Sequence, residues 1–259
     1  MNTLDDFEAA AKNALAASRK LARSHFRQGL EVDHKSDQSP VTQADRAIEE
    51  SMKAVLSGLF PEHGIFGEEF GVSGSDARYL WVLDPIDGTK SFISGVPIFG
   101  TLIALLDNGS PVLGGIDIPI LNETWIALKD SPTQINGKPC RSGSCEQLDE
   151  AILFATSPDQ FDNDEYAAFE ALSSACSSRR FGGDCYSYGL LASGHIDLIM
   201  EAGLEPYDYL ALVPVVTGAG GVITDWQGKP LTLQSKGQVI AAATPALHRA
   251  ALLRLSICP

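Results

Sequence analysis

The sequence predicts a two-part protein of mixed class, an α+β half over residues 1–150 followed by an α/β half over residues 151–259. The two halves are expected to pack as a single catalytic unit. Three observations carry this expectation. Two helical periodicities open the chain, short apolar runs split by Asn-Gly turns follow, and strands alternate with helices after about residue 150.

The first helix begins at a capping box, Thr3-x-x-Asp6, and carries Phe7, Ala11, Ala14, Ser18, Ala22 and Phe26 at helical spacing until Gly29. Thr42-x-x-Asp45 repeats the device, with Ile48, Met52, Val55 and Leu59 following and Pro61 as the stop. Apolar runs at 64–67, 79–84, 98–107, 112–118 and 123–128 then read as strands, and Asn108-Gly109 and Asn136-Gly137 as hairpin turns, which together predict a largely antiparallel sheet. In the second half, 151–156 is a strand, 163–178 a helix, 195–200 a strand and 207–219 a helix bent at Pro214. Two buried-type strands, 221–225 and 238–244, precede a last helix with Pro245 at its first position.

Composition narrows the function classes. A net charge of −14 over 259 residues argues against a nucleic-acid partner. No window of about 18 apolar residues exists for a transmembrane helix, and the acidic N-terminus lacks the basic region of a signal peptide. The five cysteines, Cys140, Cys145, Cys176, Cys185 and Cys258, form no C-x-x-C pair, so they are expected to be reduced thiols of a cytoplasmic protein. His25, His34, His63, His195 and His248 show no metal-ligand spacing.

The most informative run is W-V-L-D-P-I-D-G-T-K-S-F, residues 81–92. An apolar strand is expected to end in Asp84 where Pro85 breaks it, Asp87 follows, and Gly88-Thr89 open a helix. Carboxylates hold hard cations and helix-start amides hold phosphate, so the combination points to metal-assisted phosphoester hydrolysis. An ordinary Asp-Gly turn is the plain structural alternative. The Asp-x-Asp-Gly-Thr motif of aspartate-nucleophile phosphatases fits poorly, because the spacing here is longer and contains a proline. Three further acidic features recur along the chain: S-P-V-T-Q-A-D ending at Asp45, G-E-E with Glu68 and Glu69, and E-P-Y-D ending at Asp208 before an A-G-G segment. Taken singly, these are a cap, a solvated strand end and a helix-dipole charge.

In this order the four motifs resemble the inositol monophosphatase superfamily, over nearly the whole chain. The resemblance implies a layered αβαβα fold. Within the superfamily, D-P-I-D-G-T-K-S-F-I-S-G-V-P-I-F-G-T-L-I-A-L-L, Arg180 to Tyr188 and Glu201 to Asp208 are similar to the histidinol-phosphatase branch, with Lys90-Ser91 where inositol-type members carry Thr-Asn. Glu205 departs from the Lys expected there.

The resemblance implies Mg²⁺ held by Glu68, Asp84 and the carbonyl of Ile86, a second ion held by Asp84, Asp87 and Asp208, and a third, weaker ion near Glu68. The physics of the residues agrees: converging carboxylates repel or take up protons unless cations neutralise them, and oxygen-only ligands favour Mg²⁺ over Zn²⁺. The implied reaction is direct in-line attack by water without a phosphoenzyme. In it Thr89, held by Asp45, helps take the proton, Glu68 orients the water, Gly88 and Thr89 hold phosphate, and Asp208 positions the water that protonates the leaving alkoxide. The resemblance implies that Asp184 and Glu201 face the substrate; both are acidic, which suits a cationic one, and a hydrogen-bonded loop Asp and a strand-end Glu are the plain structural alternatives. Lys35, Arg179 and Arg180 are further candidates for phosphate, and surface charges otherwise.

The expected activity is therefore Mg²⁺-dependent hydrolysis of a small phosphate monoester, L-histidinol phosphate in histidine synthesis, by a cytoplasmic homodimer. Inositol monophosphate or another small sugar or nucleotide phosphate is the alternative substrate. A catalytically silent phosphate- or metal-binding regulatory protein is the alternative of another class.

Overall fold

A computed structural model describes residues 3–28, 32–34 and 40–256. The elements are α1 (Leu4–His25), β1 (Val32–His34), β2 (Pro40–Thr42), α2 (Gln43–Leu59), β3 (Gly64–Gly67), β4 (Gly71–Ser73), β5 (Tyr79–Asp87), α3 (Thr89–Ile93), β6 (Gly100–Asp107), β7 (Ser110–Ile118), β8 (Glu123–Leu128), β9 (Gln134–Ile135) and β10 (Lys138–Pro139). The second half contains β11 (Ile152–Ala155), α4 (Asn163–Ser173), β12 (Ser178–Phe181), α5 (Tyr186–Ala192), β13 (Leu198–Glu201), α6 (Pro206–Tyr209), α7 (Leu212–Gly218), β14 (Val222–Thr224), β15 (Val239–Ala242) and α8 (Pro245–Ser256).

Two mixed sheets result. The first has eight strands in the order β10-β9-β8-β7-β6-β5-β3-β4, antiparallel except where β3 runs parallel to β5. The second has five, in the order β12-β11-β13-β15-β14. Period-two alternation sorts their side chains into separate cores. Trp81, Leu83, Ile103 and Leu105 face α1 and α2 in one cluster with Phe7, Ile48 and Met52. Their neighbours Leu80, Val82, Leu102 and Ala104 face the opposite way, into a cluster with Tyr188, Leu191, Leu212 and Val216 of α5 and α7. That same cluster takes Ile199, Val239 and Ala241 from the second sheet. The other face of the second sheet, Leu198, Met200 and Ile240, packs on Phe169, Leu172 and Leu247 of α4 and α8. The layers are therefore α, β, α, β, α, as expected, with α5–α7 between the sheets. Each fully buried large side chain contributes about 2 kcal/mol of apolar transfer.

Local chemistry explains most boundaries. Thr3 and Asp6 form the reciprocal cap of α1. Asn108-Gly109 and Asn136-Gly137 all have positive φ, as a two-residue hairpin turn demands. The side chain of Thr42, the expected cap of α2, lies outside the described residues, as do Gly29, Lys35 and Cys258.

Several expectations are corrected. The helix expected over 163–178 ends at Ser173, and Ser178–Phe181 is an edge strand. The helix expected over 207–219 breaks between Tyr209 and Leu212 rather than bending at Pro214. Pro214 sits in the first turn of α7, where its missing N–H costs nothing. Helix α5 was not anticipated, since Y-S-Y-G is poor in helix formers. Pro85 does not end β5, which continues to Asp87 through a bulge.

Candidate active site

The bulge in β5 builds the acidic centre. Asp84 pairs with Leu102 and Asp87 with Gly100, so two residues, Pro85 and Ile86, lie opposite Thr101 alone. In an unbroken strand positions 84 and 87 would face opposite sides; one extra residue restores parity and turns both carboxylates the same way. Proline suits the position because a bulge needs no ladder N–H there. The Thr101 hydroxyl donates to the Pro85 carbonyl at 2.9 Å and lies 2.6 Å from the Ser18 hydroxyl of α1, which pins the bulge from behind.

The third carboxylate comes from the second half. Asp208 lies in the short helix α6, where its Oδ2 accepts the Glu205 amide at 2.7 Å in a capping box. One carboxylate oxygen from each of Asp84, Asp87 and Asp208 falls within 4.8 Å of the others. Glu68 joins from β3: Gly67 pairs with Leu83 in the parallel ladder, and the Glu68 amide donates to the Leu83 carbonyl at 3.2 Å. This register sets Glu68 beside Asp84, whose carboxylate feels its charge.

Electrostatics give the cluster its character. Burial, then the charges of Glu68, Asp87 and Asp208, push the Asp84 pKa well above the carboxylate range. Burial, then Asp184 and Asp208, do the same to Asp87. Asp208 is raised by burial to about 7. Asp84 Oδ1 is buried with no hydrogen-bond partner. An unsatisfied buried carboxylate oxygen facing other carboxylates fits a divalent cation with oxygen ligands, which neutralises the group and completes its valence.

Of the other expected residues, Gly88, Thr89, Asp184 and Glu201 lie around this centre. Gly88 adopts φ +82 as the residue before α3, and a Cβ there would meet Asp184 Oδ2 at 2.6 Å, so only glycine fits. The Thr89 hydroxyl donates to the Ile86 carbonyl at 3.1 Å, bringing two of the named groups together. Asp45 is buried in the first turn of α2. Asp184 is held by the Ser91 hydroxyl at 2.7 Å; burial raises its pKa, and Ser91 and the Lys90 charge lower it. Glu201 is buried and already accepts from the Thr156 amide and hydroxyl and from Tyr188, the last at 2.7 Å. Arg179 pairs with Glu170 on the exposed edge strand and lies over the Phe181 ring.

Several supporting residues were not identified from sequence. Glu49, one turn after Asp45 on α2, is fully buried and accepts the amides of Glu69 and Phe70 at 2.7 and 3.3 Å. A Cβ on Gly67 would overlap its carboxylate. The D-x-x-x-E spacing on one helix face, with a glycine before Glu68, was the available signal. The Cys185 amide donates to Asp87 Oδ2 at 2.5 Å, tying the second half to β5. Gln160 lies in the same cavity, and nothing in its local sequence marked it.

The profile of the Inositol monophosphatase family matches residues 3–256, and the chain belongs to that family. It is thus a metal-dependent phosphomonoesterase, a phosphoric monoester hydrolase. The chain is 47% identical over 259 residues to the bifunctional phosphatase IMPL2, chloroplastic, of Arabidopsis thaliana, covering 96% of this chain and 75% of that one. It is 37% identical to the histidinol-phosphatase of Chlorobaculum parvum, with 86% of each chain covered. Its fold superimposes on an inositol monophosphatase from Zymomonas mobilis with a TM-score of 0.91 and 46% identity, over 99% of this chain and 100% of the other.

Proposed function

We propose that this chain hydrolyses L-histidinol phosphate in a Mg²⁺-dependent reaction of histidine synthesis, with residues 1–259 acting as one catalytic unit in a cytoplasmic homodimer. The observation that carries the chemistry is the convergence of Asp84, Asp87 and Asp208 around a buried, partnerless Asp84 Oδ1. The substrate is supported by the likeness to a histidinol-phosphatase and by Asp184 beside Gly88, a carboxylate suited to an ammonium group.

In this reading Glu68, Asp84 and the Ile86 carbonyl would hold one Mg²⁺, Asp84, Asp87 and Asp208 would hold another, and a third, weaker ion would lie near Glu68. Bound there, Mg²⁺ supplies Lewis-acid stabilisation of phosphoryl charge and lowers the pKa of water. The chain does the rest. The Gly88 and Thr89 amides orient the phosphoryl oxygens. The Thr89 hydroxyl would turn from the Ile86 carbonyl, pass its own proton to the Asp45 carboxylate and take the proton of the attacking water, while Glu68 orients that water. Asp208 positions the water that protonates the leaving alkoxide. Glu201, held in place by Thr156 and Tyr188, forms part of the wall of the substrate cavity.

A second reading, hydrolysis of inositol monophosphate, draws on the 46% likeness to the Zymomonas mobilis protein. Phosphate release from L-histidinol phosphate and inositol 1-phosphate at equal Mg²⁺ separates the two. We expect kcat/KM to favour histidinol phosphate at least tenfold, and Asp184→Asn to reduce that preference. Equal turnover of both esters would reject the proposed substrate.

A further inference from the structure

Gln160 ends the short turn Pro158–Gln160 that follows β11. Its Oε1 accepts the backbone N–H of Ser157 at 3.2 Å, closing a capping box in which the Ser157 hydroxyl accepts the Asp159 amide. That bond assigns the orientation of the side-chain amide: the carbonyl end is spent on the backbone, so the NH₂ end is the one that points away. The Nε2 atom is buried and has no hydrogen-bond partner. Gln160 lines a cavity of about 100 Å³ together with Asp87, Asp184, Glu201, Asp208 and Tyr188.

A buried donor left without an acceptor costs about 1–3 kcal/mol, and such groups are rare in folded proteins. The acidic walls do not relieve it, because none of their oxygens lies within hydrogen-bond reach of Nε2. The cavity thus offers two complementary features to the alcohol part of an ester: a carboxylate at Asp184 for a cationic donor, and an uncharged donor at Gln160 for a neutral acceptor. A polyol presents hydroxyls of one kind all round. An amino alcohol with an unprotonated imidazole presents an ammonium and a bare ring nitrogen.

We infer that Gln160 is a specificity-determining residue whose side-chain NH₂ donates to the unprotonated ring nitrogen of the substrate's imidazole, while Asp184 takes the ammonium. This rests on histidinol phosphate being the substrate. It gives the chain a means of telling an imidazole from another flat ring of similar size, which apolar packing alone distinguishes poorly.

The test compares histidinol phosphate with phenylalaninol phosphate, which keeps the phosphate and ammonium and replaces imidazole by phenyl. Wild type, Gln160→Glu and Gln160→Met are assayed at saturating Mg²⁺ and pH 8. Gln160→Glu retains an acceptor for the Ser157 amide, so the turn keeps its cap, and its added charge acts on the ammonium of both esters alike. Gln160→Met removes donor and cap acceptor together. The ratio of kcat/KM for the two esters should fall about tenfold in both variants, the size of one neutral hydrogen bond, with the change carried by KM. An unchanged ratio in both variants, alongside good wild-type turnover of histidinol phosphate, overturns the role of Gln160 alone. Wild type with no preference for histidinol phosphate over inositol 1-phosphate overturns the substrate reading instead.

Discussion

Buried carboxylates occur on both faces of the first sheet, and they are treated in opposite ways. On the face toward α1, Asp117 is fully buried and receives the Arg19 guanidinium, whose Nε lies at 3.2 Å, and the Thr124 hydroxyl at 2.7 Å. The partnership holds the Arg19 proton more tightly. On the other side, Asp84 is just as buried, yet what bears on it is burial followed by Glu68, Asp87 and Asp208. The chain therefore satisfies a buried acid with its own cation where the purpose is packing. Where the described residues gather acids without one, a ligand can supply the balancing charge, and an all-oxygen set selects a hard divalent ion.

Replacing one acid on each side breaks this comparison most directly. Asp84→Asn should lower kcat by at least about a thousandfold, roughly 4 kcal/mol of barrier, while the variant remains folded by circular dichroism. Because it removes a repelling charge, it should melt no lower than wild type in EDTA. Turnover near the wild-type rate would remove the metal centre from the account. The ion itself is the next largest effect. Mg²⁺ at a hundred times its dissociation constant should stabilise wild type by about 2.7 kcal/mol, read from denaturant midpoints, and should stabilise Asp84→Asn much less. Asp117→Asn should behave in reverse. It leaves a half-buried Arg19 without its charge partner, so stability should drop by about 2 kcal/mol while kcat per folded molecule and the Mg²⁺ response change little. Should Asp117→Asn instead abolish the Mg²⁺ response, the two faces do not have separate roles.

How much of this was legible in the sequence follows from the range of the interactions. The helices, strands and turns of a mixed-class chain rest on local periodicity and turn chemistry, whereas the layered order came from the family resemblance, and the observed layers agree with it. The two glycine turns at 108–109 and 136–137 needed only their own residues to be identified. The extension of β5 past Pro85 was missed because it depends on what lies opposite, one residue, Thr101, against two. Helix α5 was missed because packing overrides weak propensity there: it lies between the sheets, with Tyr188 and Leu191 buried. Strand β12, exposed along its whole length, is defined by its pairing with β11, which its own residues do not reveal. For the candidate site, the carboxylates were marked by residue type, but the groups that aim them were not. Ser91 on Asp184, the Cys185 amide on Asp87 and Gln160 in the cavity wall are contacts between segments far apart in sequence.

Glu49 sharpens the comparison further, because it is a third solution to burying an acid. Two consecutive amides, those of Glu69 and Phe70, converge on its carboxylate from the turn that carries Glu68, and the Lys53 charge adds to them. Burial raises its pKa and those two amides lower it. Glu68 is thereby fixed from two sides, by its own amide on Leu83 of β5 and by its neighbours' amides on α2. Glu49→Gln keeps the length and one acceptor oxygen but turns an NH₂ toward an N–H donor, so one amide loses its partner. The direct cost should be about 1 kcal/mol of stability. The more telling effect is on the ion: Mg²⁺ affinity by calorimetry should weaken several-fold, with kcat at saturating Mg²⁺ falling less than affinity does. Gly67→Ala, which pushes a methyl into the same carboxylate, should reproduce the loss of affinity from the other side. If both variants lose stability yet bind Mg²⁺ as wild type does, Glu49 only packs the turn, and Glu68 owes its aim to the β3–β5 ladder alone.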